Sequence, residues 1–463
     1  MTRSQAIQQA QTQFDSGEFR QTLARRIALP TESQNPQRSA MLASYLESEL
    51  RPALEAMGFA CQTLTEPSAQ APFLFAQRIE DGSLPTVFGY GHGDVIRGQD
   101  AQWHDGLSPW QLTERDGRWY GRGIADNKGQ HSVNLQALAN ILKVRGRLGF
   151  NAKLLIEMGE EVGSPGLRGL CERHRQQFWA DVMIASDGPR LSVERPTLFL
   201  GSRGCLNFDL AIEARAGAHH SGNWGGLISN PGIQLAHAIA SITSPSGQIR
   251  IPQWVPSSLP ASVRLALTDC VVDGGVDAPL VDAGWGEPGL SPTERVFGWC
   301  SFEVLAFKTG NPEAPVNAIP ARAWARCQLR FVVGIDPDEI LPALRRHLQR
   351  QGFSLVQVTA AADEVFHATR LDPDDPWVRW ALASMADSSQ KQPALLPNLG
   401  GSLPNDIFSD VLGLRTLWVP HSYPGCSQHA PNEHLPSALL REALVIMTGL
   451  YWDLGAGNTP ARA

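Results

Sequence analysis

Apolar positions in the first two hundred residues switch repeatedly between helical and strand spacing. Over residues 38–57, Met41, Leu42, Tyr45, Leu46, Leu50 and Leu54 recur three or four apart, which predicts an amphipathic helix. β-rich runs follow at 86–90, 154–158 and 182–185, separated by helix-like stretches at 129–144 and 167–178. This rhythm predicts an open, largely parallel sheet with helices on both faces.

The pattern changes near Phe199. Residues 203–215 alternate through Cys205, Phe208, Leu210 and Ile212 as a half-buried strand does. A helix is predicted at 233–242, and a stretch rich in Pro and Gly at 244–300 implies long irregular connections. A second alternating strand at 323–333, a helix at 337–351 and a strand at 354–359 complete an α+β module. The α/β style resumes at Asp375, with a helix at 377–386, a strand at 416–419 and a terminal helix at 437–452. The expected organisation is one discontinuous α/β domain, 1–200 and 367–463, interrupted by an α+β domain at 201–366.

Composition narrows the class. The chain has 463 residues, long enough for two cores, with 43% hydrophobic and 18% charged residues. Its formal charge of -7 argues against a nucleic-acid or anionic-membrane binder, which needs a basic surface. Seven scattered cysteines without a C-x-x-C pattern fit free thiols in a reducing compartment. The polar, helix-like first residues do not resemble a signal peptide, and no run reaches the roughly 18 apolar residues of a membrane span. A cytoplasmic protein is expected.

Chemistry-bearing residues collect where the strand runs end. The run at 87–90 leads into Gly91-His92-Gly93-Asp94, that at 154–158 into Glu160-Glu161, and that at 182–185 into Ser186-Asp187-Gly188. The run at 416–419 leads into a loop with His421, His429 and Glu433, and a glycine-rich turn before a helix supplies Asp126. Ligand sites in open α/β sheets lie beyond the carboxyl ends of the strands, so these segments converge on one edge. Two adjacent glutamates at the mouth of a buried strand repel each other unless a strong positive charge is near. A metal ion supplies that charge, and nitrogen and carboxylate donors without thiolates suit catalytic zinc, manganese or cobalt. Taken singly each motif is weak: Glu-Glu pairs are common on surfaces, and Ser-Asp-Gly is a common turn.

In combination the motifs Gly91-His92-Gly93-Asp94-Val95, Gly121-Arg122-Gly123 with Asp126-Asn127-Lys128-Gly129, Glu160-Glu161 with Gly163-Ser164, Ser186-Asp187-Gly188, and Ser427-Gln428-His429-Ala430-Pro431-Asn432-Glu433 are specific. The chain resembles, over essentially its whole length, the two-metal peptidase family of aminoacylase, carboxypeptidase G, carnosinase and acetylornithine deacetylase/succinyl-diaminopimelate desuccinylase. That resemblance implies two divalent metal ions, zinc first, with Asp126 bridging them. It implies Glu161 and His429 on one ion, His92 and Asp187 on the other, and a cis peptide after Asp126. It makes Asp94 the acid that orients His92, and Glu160 the base that takes a proton from the attacking water. In the interrupting domain, Ala218-His219-His220-Ser221-Gly222 resembles a lid motif whose histidine reaches an active site, often the partner's in a homodimer. His220 takes this role, with His219 as the alternative. Arg330, Gly401 and Ser402, with Asn317 behind them, are the expected contacts for a substrate carboxylate.

The resulting expectation is a metal-dependent hydrolase of an amide bond in a small carboxylate-bearing substrate, dipeptidase-like. An N-acyl-amino-acid deacylase uses the same machinery with different pocket walls. A non-catalytic binding protein on the same fold is the alternative from another class, favoured only if a ligand or Glu160 were lost, and none is. A nucleotide-binding enzyme fails for want of a glycine-rich phosphate loop. Cys426, three residues before His429, lacks a second thiol pair for a structural zinc site, and His131 is expected near the ligands or at the surface. The tryptophans default to core packing.

Overall fold

A computed structural model describes residues 1–272, 279–361, 365–457 and 459–460. Strands β1 (Ala60–Leu64), β2 (Phe73–Arg78), β3 (Thr86–His92), β4 (Asn151–Glu157), β5 (Val182–Ala185) and β6 (Thr197–Phe199) begin the main sheet. Strands β7 (Gly204–Glu213), β8 (Ser301–Thr309), β9 (Arg322–Phe331) and β10 (Gln357–Ala360) form a separate sheet. Strands β11 (Ala394–Leu396) and β12 (Thr416–Trp418) return to the first, whose order is β1-β2-β4-β3-β5-β12-β6-β11.

The centre of the main sheet is parallel: β3 pairs with β4 and β5, and β5 with β12. The first two strands and the β12–β6 pairing are antiparallel, so the sheet is mixed but mostly parallel, as the sequence pattern implies. Every residue of β3, β4 and β5 is buried, because helices cover both faces. The two-residue side-chain period divides the core. Leu154 and Ile156 of β4 face the side covered by the helices Lys128–Arg145 and Ser437–Gly455, and Leu155 faces Leu167, Leu170 and Phe178. Because β3, β4, β5 and β12 run the same way, their carboxyl ends share one edge.

The second sheet is antiparallel, in the order β8-β9-β7-β10. Its inner face places Phe208, Leu210 and Ile212 of β7 and Ala325, Cys327 and Leu329 of β9 against the helices Pro231–Ile242 and Pro337–Arg350. Trp254 is fully buried there and donates its indole N–H to the Ile340 carbonyl at 2.9 Å. Arg330 lies on the other face of β9, opposite Ser301 and Cys205. Among the described residues no helix is long and apolar enough to cross a membrane.

Several elements differ from the sequence expectation. The helix expected over 38–57 is a run of three segments, Ser39–Ser44, a widened turn Tyr45–Leu50, and Arg51–Ala56. Pro52 lacks an N–H for a regular helical bond, and the widened turn ends just before it. The strand expected over 354–359 forms at Gln357–Ala360, after the turn that ends the preceding helix. Strands β1, β2, β6, β8 and β11 were not expected. Strand β8 is exposed from Glu303 to Lys308, so it carries no alternation to read.

Candidate metal centre

His92 is the last residue of β3 and is fully buried. Its Nε2 lies 2.9 Å from Asp126 Oδ1, and its Nδ1 lies 3.1 Å from the Asp94 carbonyl and 3.3 Å from Asp94 Oδ1. Asp94 also holds the neighbouring strand end. Its Oδ1 accepts the backbone N–H of Glu160 at 3.2 Å and its Oδ2 that of Glu161 at 3.1 Å. One buried carboxylate thus orients an imidazole and fixes the backbone of both glutamates. Gly163, at φ 91°, closes the short turn Glu160–Val162 in a conformation that suits glycine.

Asp126 sits in the turn before the helix Lys128–Arg145, and the Asp126–Asn127 peptide is cis. Glu433 builds this turn. Its buried carboxylate accepts the backbone N–H groups of Gly123 at 3.0 Å, Ala125 at 2.8 Å and Asp126 at 3.2 Å, and pairs with Arg122 at 2.7 Å. Asn127 donates to the Ser186 carbonyl at 2.8 Å, linking the turn to the end of β5. His429 enters from a loop in which Ser427, His429 and Asn432 all have positive φ. Its Nε2 is 3.0 Å from Asp126 Oδ2 and 3.0 Å from Glu161 Oε2.

Among the described residues two ligand-like sets result, His92–Asp126–Asp187 and Asp126–Glu161–His429, and within each the donor atoms lie within 4.8 Å of one another. Asp126 belongs to both and turns a different oxygen to each histidine. Glu160 belongs to neither. It borders the adjoining cavity with its Oε2 3.9 Å from His92 Nε2.

The electrostatics call for cations. Asp94, Asp126, Glu160, Glu161 and Asp187 crowd around two histidines, an excess of acid in a poorly hydrated place. Burial drives Glu160 well above the carboxylate range and Glu161 up to about 7, and it raises Asp187. Burial also opposes charge on Asp126 and His92, but hydrogen bonds win: His429 and His92 hold Asp126 low, and Asp126, Asp187 and Asp94 hold His92 well above the usual imidazole range. Hydrogen bonds to Asp126 and Glu161 raise His429 to about 11. Among the described residues Glu161 Oε1 is buried without a hydrogen-bond partner and Asp187 Oδ2 has only His92 Nε2, 3.5 Å away, which fits oxygens that serve a cation. The donors are imidazole and carboxylate, a set suited to zinc, manganese or cobalt.

Other sequence candidates fall elsewhere. Gly401 and Ser402 line a cavity of about 770 Å³ together with Asp126, Glu160, Asp187 and His429. Arg330 does not line it, but from β9 it donates to Oγ of the lining residue Ser402 at 3.0 Å. His219, His220 and Asn317 do not border this cavity. They lie exposed, where His219–His220 pairs with Ala318–Ile319, and His220 Nδ1 accepts the Gly222 N–H at 3.1 Å. His131 is buried rather than at the surface, 2.7 Å from the Tyr45 hydroxyl. Cys426 is buried, its thiol pushed up to about 12 by burial, and it belongs to neither ligand set.

Sequence reasoning missed Glu433 as the keystone of the Asp126 turn. The available signal was Arg122, a lone cation between two glycines that needs a counter-charge when buried. It also missed Glu157, whose carboxyl is raised to about 7 by burial. Glu157 receives hydrogen bonds from the Tyr90 hydroxyl at 2.6 Å and from Ser164, beyond the glutamate pair, at 2.9 Å.

A mixed, mostly parallel sheet that brings two histidines and several carboxylates to its carboxyl edge defines a metal-dependent hydrolase architecture. The model of peptidase family M20/M25/M40 matches residues 89–453, and the chain belongs to that family of metal-dependent peptidases. It is 34% identical over 457 residues to mouse (Mus musculus) Beta-Ala-His dipeptidase, covering 90% of this chain and 89% of that protein. Its fold is similar to that of human carnosine dipeptidase 1, with a TM-score of 0.80 at 22% identity, covering 98% and 99% of the two chains. It is equally similar to the M20 family metallo-carboxypeptidase Sso-CP2 of Sulfolobus solfataricus, with a TM-score of 0.80 at 24% identity, covering 95% and 99%.

Two outcomes follow for this centre. Glu433→Ala leaves Arg122 and three backbone N–H groups without their buried acceptor, and urea denaturation should show a loss of about 3–5 kcal/mol. Retention of wild-type stability would contradict the keystone role. The second concerns protons, because a metal must displace those held by His92, His429 and Glu161. Metal affinity, titrated calorimetrically in buffers of different ionisation enthalpy, should rise about tenfold or more per pH unit between about pH 6 and 8, with proton release. In chelator-treated protein the raised Glu161 and His429 pull the other way. At these two groups the folded form holds protons that the unfolded chain gives up, so their own contribution to stability falls as pH rises above about 4.5. The drift from His131 and His421, which burial keeps unprotonated, is opposite. Glu161→Gln should remove its part of the fall from the pH–stability profile.

Proposed function

We propose that this protein hydrolyses the amide bond of a small, dipeptide-like substrate bearing a free carboxylate. One observation carries the reading: two ligand sets share Asp126, while Glu160, beside the ligand Glu161, is left over and faces the same cavity. In this assignment His92, Asp126 and Asp187 hold one divalent cation, and Asp126, Glu161 and His429 the other. Zinc is the first choice and manganese or cobalt the alternatives. When bound, the ions lower the pKa of water and polarise a carbonyl. Asp94 holds His92 and the backbone of both glutamates in register. Glu160 takes the proton of the attacking water and passes it to the departing amine. The Arg330 guanidinium, steadied by Ser402, pairs with the substrate carboxylate beside Gly401.

The proposal includes a division into a catalytic part, 1–200 and 367–463, and a lid, 201–366. Separate sheets support it, as does a hydrophobic cluster around Trp254 whose fully buried members all lie within 201–366, while Val263, Leu267, Cys270 and Phe297 pack into the core of the catalytic part. It also includes a homodimer formed through the lid, in which His220 and Asn317 serve the partner's site. The outer strand β8 exposes Val304, Leu305 and Phe307, and nearby Trp224, Leu227 and Ile233 are exposed too. Such an apolar surface suits a second copy of the chain. A cytoplasmic location accords with seven cysteines that are all free.

The test is Glu160→Gln in metal-loaded enzyme, assayed on the best substrate from a panel of dipeptides and N-acyl amino acids. We expect kcat to fall about 10²–10⁴-fold, with metal content retained and KM little changed. Equal turnover by both proteins would rule out Glu160 as the base.

A further inference from the structure

The end of the cavity assigned to the substrate carboxylate is assembled across the seam between the two sheets. Gly400, Gly401 and Ser402 line the cavity from the stretch after β11, and Arg330 meets Ser402 from β9. Arg203 stands where the chain first crosses from the main sheet into β7, and it is 7% exposed. It grips both pieces. Its Nε donates to the Gly400 carbonyl at 2.8 Å and its backbone N–H to the Leu399 carbonyl at 3.1 Å, while its own carbonyl accepts the Ser402 hydroxyl at 2.7 Å. On the other side its Nη1 reaches the Trp299 carbonyl at 3.4 Å and Ser301 Oγ at 3.3 Å. Ser301 is the residue opposite Arg330 in the register of β8 and β9, and Cys205, two residues beyond Arg203, is opposite it on β7. Arg203 itself does not line the cavity that holds Ser402.

Resting on the amide-hydrolase reading above, we infer that Arg203 is a positioning residue for the substrate carboxylate, setting where the Gly400–Ser402 loop stands relative to Arg330. A guanidinium is planar and carries its donors at fixed angles. Holding Gly400 on one donor and Ser301 on another therefore locks the two sides of the seam in register. A lysine ammonium, a point charge on a flexible stem, cannot reproduce that grip. The charge matters as well. Burial, and after it the repulsion of Arg330, lowers Arg203 to about 10, so it stays protonated at neutral pH. Glu303, exposed on β8, feels both guanidiniums, and burial raises it. Two cations that repel each other gain from an anion bound beside Ser402, and a carboxamide in the same place brings no charge. Selection for a free carboxylate thus rests on Arg203 as well as on Arg330.

The test uses zinc- or manganese-loaded full-length protein and a matched pair, alanyl-leucine and alanyl-leucinamide. The best member of the dipeptide panel and its carboxamide form a second pair. In the wild type kcat/KM should be at least about tenfold higher for the free acid. Arg203→Met, checked for folding by its thermal melt, should lose at least about tenfold in kcat/KM on the acid, mainly through KM, and less than about threefold on the carboxamide. Should that variant not fold, Arg203→Lys should show the same split at smaller size. In an Arg330→Met background the acid-specific loss should shrink, because the two residues serve one carboxylate. An equal loss on acid and carboxamide, or an undiminished loss without Arg330, would overturn the positioning role and leave the amide-hydrolase reading standing. A wild type that hydrolyses acid and carboxamide equally well would do the same. No hydrolysis of either pair, nor of the dipeptide panel, by protein shown to contain metal would overturn both.

Discussion

The Asp126 carboxylate turns one oxygen to His92 and the other to His429, at 2.9 and 3.0 Å. These histidines come from opposite ends of the chain, one closing a central strand and the other in a loop after the last strand of the sheet. A single side chain is thus the common member of both donor sets. If it moved, each set would lose a donor and the buried acids around it would lose their arrangement. The surrounding excess of negative charge is tolerable only with cations or protons in place. Shared carboxylate and crowded acids are two sides of one constraint.

That constraint explains features beyond the donors themselves. The Asp126 turn is tied by Glu433 through three backbone N–H groups and Arg122, so the residue common to both donor sets is held from behind by a partner on the His429 loop. Asp94 does the same for the opposite side, joining the His92 imidazole to the backbone of Glu160 and Glu161. The glutamate pair is therefore fixed by main-chain bonds, which frees the two side chains to diverge. Glu161 turns to His429, and Glu160 borders the cavity. The same strand end supplies a member of one donor set and a carboxylate that belongs to neither.

Much of this was legible in the sequence, for physical reasons. Strands β3, β4 and β5 are buried on both faces, so they read as apolar runs, and the acids and histidines just beyond them stand out. Parallel packing then puts those ends on one edge, which makes convergence foreseeable before any coordinate is known. What stayed hidden lacks a periodic signature. Strand β8 is exposed along most of its length, and β6, β11 and β12 have three residues each, so only β12, with its flanking valine, was readable. The role of Glu433 depends on backbone donors that no side-chain pattern announces. His220 shows the limit of motif reading within one chain, since it lies exposed and apart from the cavity that Glu160 borders. The cavity walls were equally hidden, because Leu191, Phe297 and Leu399 meet only through the fold.

The shared-carboxylate account is tested most directly by anomalous diffraction from crystals grown with zinc, wild type beside Asp126→Asn. The account requires two peaks in the wild type, one among His92, Asp126 and Asp187 and one among Asp126, Glu161 and His429, and weakening of both in the variant. A single peak, or two that persist at full strength without the Asp126 carboxylate, would contradict it.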